Sequence, residues 1–357
     1  MNQQNKNLEL IQVLRGIASL LVVFLHTTVN VQGLLNQKFC FNIFAFGGAG
    51  VDIFFVLSGF IITHTSVKAL RTSGNPFPFL RRRFIRIFPA YWIVITLFLI
   101  IQLLFTSFYS AGAYNFSLSN ILGTFLLFPN HAMVNGVSWT LTYELFFYFL
   151  FSLAFLIPAK KTAFLLAVFF AIAIIVMYSF GYDSAMADNK WLQLLFSPMN
   201  TEFIMGIIAA VIVAKIPASA ALPFLTAGIL LFLGGAVFSD SGYIVTHNVF
   251  NRVILFGVGS FFIITGLVKY ELQHTVEAHS FLLKLGEASY SLYLLHLPLL
   301  VACIKIIAKL GIVNNLIIHC LLFVAIIIIC TGSILFFNLI EKPVINKLNS
   351  YRKKGIK

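Results

Sequence analysis

Residues 316–340 read LIIHCLLFVAIIIICTGSILFFNLI, 25 positions without an aspartate, glutamate, lysine or arginine. As an α-helix, this run extends about 37 Å at about 1.5 Å per residue, enough to cross a hydrocarbon core of about 30 Å. A strand of a membrane barrel would alternate apolar and polar positions over about ten residues. This stretch does not alternate. In lipid, a helix satisfies its backbone hydrogen bonds within one segment, so the run predicts a spanning helix. Comparable runs recur from one end of the chain to the other.

Composition points the same way. The 357 residues are 60% hydrophobic, 15% aromatic and 10% charged, against about 25% charged in a soluble domain. That is too little charge to cover a water-facing surface. The expected fold is all-α, a polytopic transmembrane helical bundle of about ten spans. These lie near 9–29, 49–66, 89–108, 138–157, 163–180, 192–214, 222–238, 250–268, 289–310 and 316–340. The segment 109–137 contains NILGTFLLF, too short to span, and is expected to form an interfacial or re-entrant helix. The organisation expected is a membrane domain over 8–343 and a basic cytoplasmic tail over 344–357.

The net charge is +13. In a soluble protein that balance would suggest nucleic acid. In this chain the positive-inside rule accounts for it, and no nucleic-acid partner is expected. With both termini cytoplasmic, 19 lysines and arginines fall on the inner side. Five (Lys38, Lys190, Arg252, Lys305 and Lys309) fall outside. The residues after the first span, HTTVNVQG, show no small-x-small cleavage pattern, so that span is read as a membrane helix. Cys40, Cys303, Cys320 and Cys330 have no C-x-x-C spacing. Buried packing is expected of them, with no metal site.

Ionisable side chains inside spans cost several kcal/mol on insertion scales, which makes each a functional candidate. They are Arg15, His26, Asp52, His64, Glu144, Glu202, His296 and His319. Each also has a structural reading. Arg15 snorkels to a headgroup, and His26 sits solvated at an interface. Asp52 complements a helix dipole, Glu202 follows a helix break at Pro198, and His319 plays a structural part. Arg15 and His26 are eleven residues apart, about three turns, so both lie on nearly one helix face. Ser138 is an expected N-cap before Glu144. Gly47, Gly48 and Gly50 suit either backbone approach to a ligand or close helix packing. Arg81, Arg82, Arg83 and Arg86 serve as a topology signal or as phosphate-binding forks.

Several separated motifs together resemble the membrane-bound acyltransferase 3 family of bacterial O-acyltransferases, of the stand-alone type without an esterase-like domain. Arg15 and His26 match its R-x(10)-H. GGAGVDIFFVLSGF resembles its second-helix signature. Arg82, Arg83, Arg86, Pro89 and Tyr91 match its arginine run. SWTLTYELFFY, LGEASYSLYLLHLP and the Glu341-Lys342-Pro343 triplet resemble the later signatures. The resemblance implies a multi-pass protein of a bacterial cell membrane. It would move an acyl group, acetyl or succinyl, from cytoplasmic acyl-CoA to a hydroxyl of an extracytoplasmic glycan or glycolipid. Acyl-CoA is then a co-substrate, with no tightly bound cofactor. His26, in the outer half facing the acceptor, is the expected base and His296 a second candidate, because imidazole suits proton transfer near neutral pH. Glu144 is expected to orient His26. Arg15, Arg81, Arg82, Arg83 and Arg86 are expected to hold the donor. A polysaccharide exporter or flippase is the alternative, since buried histidines and carboxylates suit proton coupling.

The orientation is directly testable. Cysteines placed singly at Lys161 and Lys354 in a cysteine-free background should resist an impermeant reagent added to intact cells, and those at Asn115 and Asn189 should react. Labelling at 161 from outside would reverse the orientation.

Overall fold

The computed structural model describes residues 8–72, 74–104, 116–129, 134–157, 189–239 and 249–354, together with positions 161, 168 and 175. Among them there are helices and no strands. In chain order the α-helices are α1 Glu9–Leu35, α2 Ala49–Thr72, α3 Phe77–Leu104, α4 Leu118–Leu126, α5 Trp139–Ser152, α6 Lys190–Phe196 and α7 Asn200–Ile212. They continue with α8 Ala221–Phe238, α9 Val249–Arg252, α10 Val258–Gln273, α11 Ser280–Glu287, α12 Ser289–Lys309, α13 Asn315–Phe336 and α14 Lys342–Lys354. Single π turns, Val253–Gly257 and Phe337–Glu341, join α9 to α10 and α13 to α14.

Nine helical stretches among the described residues are long and apolar enough to cross a membrane. They correspond to nine of the expected spans. Of the expected span at 163–180 only positions 168 and 175 are described, both helical; the rest lies outside the described residues. The third span begins earlier than its apolar run suggests. α3 starts at Phe77 and carries Pro89 in its interior, so the arginine run forms its first turns. α4 is the short helix expected within 109–137. Its nine residues cannot span, and it is pinned by Tyr91 Oη donating to the Thr124 carbonyl at 2.8 Å and Trp92 Nε1 to the Phe125 carbonyl at 2.9 Å.

The chain divides into two compact units. One comprises residues up to Thr65 with Thr201–Leu335. The other comprises Ser66–Asn200 with the residues from Phe336 onward. In the first, one core cluster packs Ile11, Leu14 and Ala18 of α1 with Ile53, Val56 and Phe60 of α2 and Ile264 and Val268 of α10. A second packs Val23 and Val31 of α1 with Leu292, Leu300 and Ile304 of α12 and Leu322 and Ile326 of α13. α1 therefore contributes to both cores. α13 also shows why its sequence is apolar all round: Ile318, Leu322, Ile326 and Ile329 are buried, while Ile317, Val324, Ile327 and Ile328 face outward, as lipid-facing positions require.

Both ends of α1 are fixed by polar contacts. Leu8 supplies no side-chain cap. Instead the buried carboxylate of Glu271 accepts from the backbone N–H groups of Glu9 and Leu10, and Glu9 in turn accepts from the Ala278 N–H at 2.9 Å. An anion at a helix N-terminus satisfies donors that have no intrahelical partner and complements the dipole. The helix ends at Asn36, in left-handed conformation at φ 52°, with its N–H on the Gln32 carbonyl. Asparagine tolerates that region better than most residues.

The glycines serve helix packing. A Cβ at Gly47 would strike the Leu21 carbonyl of α1, and one at Gly50 the Ala18 carbonyl. Gly59 and Gly206 let α2 and α7 approach backbone to backbone. Asp52 sits in the first turn of α2 and has a partner that sequence reading counted only among the outer-side charges. Arg252 Nε donates to its Oδ1 at 3.0 Å, Arg252 Nη2 to its Oδ2 at 2.8 Å, and Nη2 also to the Gly48 carbonyl at 3.0 Å. Glu202 lies beside this pair, buried against Gly257 of the first π turn. As expected, a turn containing Pro198 interrupts the helix before it.

Removing one member of a buried ion pair leaves the other charge uncompensated, at a cost of about 3–5 kcal/mol. Arg252→Leu should therefore lower the thermal unfolding midpoint in detergent sharply. The double variant Asp52→Leu, Arg252→Leu should recover much of the loss, because neither charge then remains buried.

Candidate active site

The first unit brings Arg15 and His26 onto one neighbour. Arg15 Nη2 donates to Ser289 Oγ at 2.9 Å, while Nη1 donates to Gln12 Oε1 at 2.9 Å. His26 meets His296, with Nδ1 of the first 3.1 Å from Nε2 of the second and ring centroids 5.1 Å apart. Both partners lie on α12, so the expected one-face relation of Arg15 and His26 holds. The pairing order makes α1 and α12 parallel. Eleven residues on α1 rise about 16 Å and seven on α12 about 10 Å; the length of the arginine side chain takes up the difference.

The closeness of α1 to this segment comes from small residues. Gly286, at the end of α11, faces the Gln12 carbonyl so tightly that a Cβ there would overlap it, and Gly16 of α1 faces the Gly286 N–H. Thus the stretch LGEASYSLYLLHLP supplies the close approach through Gly286, the acceptor for Arg15 through Ser289, and the partner of His26 through His296. Sequence reading named the last of these and missed the other two. Their signal was present as small residues ten and seven positions before the histidine.

The protonation pattern follows from the acceptors. His26 Nδ1 lies 3.0 Å from the Val22 carbonyl, and His296 Nδ1 lies 3.0 Å from the Leu292 carbonyl. A carbonyl oxygen only accepts, so each ring carries hydrogen on Nδ1. His296 Nε2 is then a lone pair and accepts from His26 Nδ1–H, which it shares with Val22. Nε2 of His26 is left as a bare lone pair, and no described residue of this unit hydrogen-bonds it. His26 is half-buried, whereas His296 is 0% exposed with both nitrogens engaged by protein. Of the two candidate bases, His26 presents a basic nitrogen.

The other candidates lie elsewhere. Tyr148 Oη donates to Glu144 within the second unit. Ser138 does not cap α5: it has αR backbone angles and a buried Oγ, because the 3₁₀ turn Gly136–Ser138 runs straight into the helix. Asn135 caps that turn instead, accepting from the Val137 N–H. Each arginine of the run has its own surroundings. Arg81 Nη2 donates to the Leu348 carbonyl at 2.8 Å, Arg83 lies over the rings of Phe79 and Tyr148, and Arg86 pairs with Glu341 at 3.6 Å. Arg82 is exposed. His64 stacks on Phe60. His319 has the structural part expected of it, its Nε2 accepting from the Cys40 N–H at 3.1 Å while its ring stacks on Phe39.

Residues 8–335 match the acyltransferase-3 family, described as an acyltransferase domain. The exopolysaccharide production protein ExoZ of Rhizobium meliloti (strain 1021) is 27% identical over 318 residues, covering 85% of this chain and 91% of that protein. No solved structure matches the chain.

The packing account predicts opposite outcomes for one substitution at two glycines. Gly286→Ala should lower both thermal stability and acyl transfer, since the added methyl pushes α1 away beside Arg15. Gly33→Ala, with nothing within 4 Å, should leave transfer intact and raise stability slightly, by up to about 1 kcal/mol. Thermal unfolding of the two purified proteins separates them.

Proposed function

Since the chain belongs to the acyltransferase-3 family, we propose that it takes an acyl group from cytoplasmic acyl-CoA and places it on a hydroxyl of an extracytoplasmic glycan or glycolipid. The likeness to an exopolysaccharide production protein favours a polysaccharide acceptor. The observation that carries the reading is the bare Nε2 of half-buried His26, held on α1 by two Nδ1 contacts.

The chemistry proceeds in two proton movements. The acceptor hydroxyl gives its proton to His26 Nε2 as its oxygen attacks the thioester carbonyl, forming the new C–O bond. The C–S bond then breaks, and the departing CoA sulfur takes the proton from His26 Nε2, giving free CoA and the ester. General-base catalysis of this kind contributes about 10²–10⁴-fold. Neutral His26 uses its one N–H on Val22 and His296, so it has no N–H to offer Glu144. On this reading Glu144 acts with Tyr148 and the arginine run rather than as the orienter of His26. Arg15 stands about 16 Å along the helix, on the donor side if the termini are cytoplasmic. Arg82, Arg83 and Arg86 would hold CoA phosphates by charge-assisted hydrogen bonds, and acetyl or succinyl is the group carried.

His26→Ala and His26→Gln should each keep acyl-CoA binding and lose transfer by about 10²–10⁴-fold. Glutamine gives and accepts hydrogen bonds but takes no proton. Mass spectrometry of surface glycans from deletion and complemented strains reads the result and names both the acyl group and its acceptor. Near-wild-type transfer by both variants would end the assignment of His26.

The donor side has a separate test. Changing Arg82, Arg83 and Arg86 together to glutamine should weaken acyl-CoA binding by at least one charge-assisted hydrogen bond, about 1.5–3 kcal/mol. Titration calorimetry with acetyl-CoA measures it. Unchanged affinity would return the run to a topology signal.

A further inference from the structure

His296 is the puzzling member of the site. It is fully buried in α12, and neither nitrogen is open to a substrate. Nδ1–H is committed to the Leu292 carbonyl and Nε2 to His26. A group so enclosed cannot take a proton from an acceptor hydroxyl. It can decide which nitrogen of His26 is basic.

We propose that His296 is a positioning residue, whose neutral ring holds His26 in the tautomer with hydrogen on Nδ1 and the lone pair on Nε2. The proposal rests on the reading of His26 as the base. The Val22 carbonyl lies on His26's own helix, one turn back, and constrains the ring only through α1. The bond to His296 comes from a second helix and fixes the ring's rotation against it. Leu292 sets the polarity of the whole chain: its carbonyl places the hydrogen of His296 on Nδ1, and that leaves Nε2 able only to accept. The direction Leu292 carbonyl, His296, His26, bare Nε2 is thereby determined by backbone.

The same arrangement serves the charged state. When His26 Nε2 takes the acceptor proton, His26 becomes a cation with hydrogen on both nitrogens. Its Nδ1–H then makes a charge-assisted bond to His296 Nε2, without a proton leaving either ring of the pair. A carboxylate in the place of His296 would stabilise the cation more strongly. It would also be an unpaired charge inside a membrane span whenever His26 is neutral, at a cost of several kcal/mol. An imidazole carries the orienting lone pair with no charge.

The test uses the full chain in nanodiscs with ¹⁵N-labelled histidine, the His26 resonances being identified by their loss in His26→Gln. Imidazole ¹⁵N shifts should show His26 with hydrogen on Nδ1 in the wild-type protein. In His296→Leu the His26 signals should move toward a tautomer mixture. kcat for transfer from acetyl-CoA to glycan isolated from the deletion strain should fall about 10–100-fold, as for loss of other orienting partners, with KM for acetyl-CoA unchanged. His296→Gln, whose Oε1 accepts a hydrogen bond, should restore part of both the tautomer and the rate. Hydrogen on Nε2 of wild-type His26 would overturn the proposal, whatever the variants do. An unchanged tautomer in His296→Leu would overturn it as well, as would a shifted tautomer with an unchanged kcat. A base other than His26 would show instead as transfer retained in His26→Gln, and the tautomer measurement would still stand on its own.

Discussion

Inside a membrane, a polar group must be met by another part of the same chain, and α1 shows how far that requirement shapes the fold. Its first N–H groups are met by Glu271, its arginine by Ser289 and its histidine by His296. Each partner lies more than 260 residues away in sequence. Between them Gly47 and Gly50 press onto the α1 backbone. Contacts of this kind are made between helices by small residues and hydrogen bonds, since lipid is as apolar as the side chains it would replace. The result is a helix fixed in rotation and height against its neighbours.

Charge and neutrality are handled differently in two places of the same unit. At the start of α2, Asp52 and Arg252 face each other as a buried pair, with the Gly48 carbonyl taking a further guanidinium hydrogen. Such a pair adds little over well-packed apolar side chains, but losing one member leaves a buried charge uncompensated. At His26 the partners are a carbonyl and an imidazole, both neutral, and the ring nitrogen that remains is a lone pair. On the proposed reading His26 gains and then releases a proton, and such a site is better framed by groups that orient it than by a charge that would hold the proton permanently.

In the second unit the arginine run is held by the chain around it. Arg81, Arg83 and Arg86 are each engaged, by a C-terminal carbonyl, by aromatic faces and by Glu341. These contacts orient the forks of a rigid helix start. They bring Tyr148 and Glu144 into the same neighbourhood, an association for which the sequence offered no spacing rule.

The apolar runs alone determined that this is an α-helical membrane protein, because only helices close their hydrogen bonds within a segment of that length. Nine spans and the shared face of Arg15 and His26 were legible for the same reason: each depends on the length or periodicity of a helix. The partner of Asp52, the approach at Gly286 and the pairing of His26 with His296 were not legible. They depend on which helices lie side by side, and apolar composition is nearly the same on every face. Sequence placed four histidines in spans and offered two of them, His26 and His296, as bases. Only the packing of α1 against α12, with one carbonyl behind each ring, decided that His296 is fully buried with both nitrogens engaged while half-buried His26 bears the bare nitrogen.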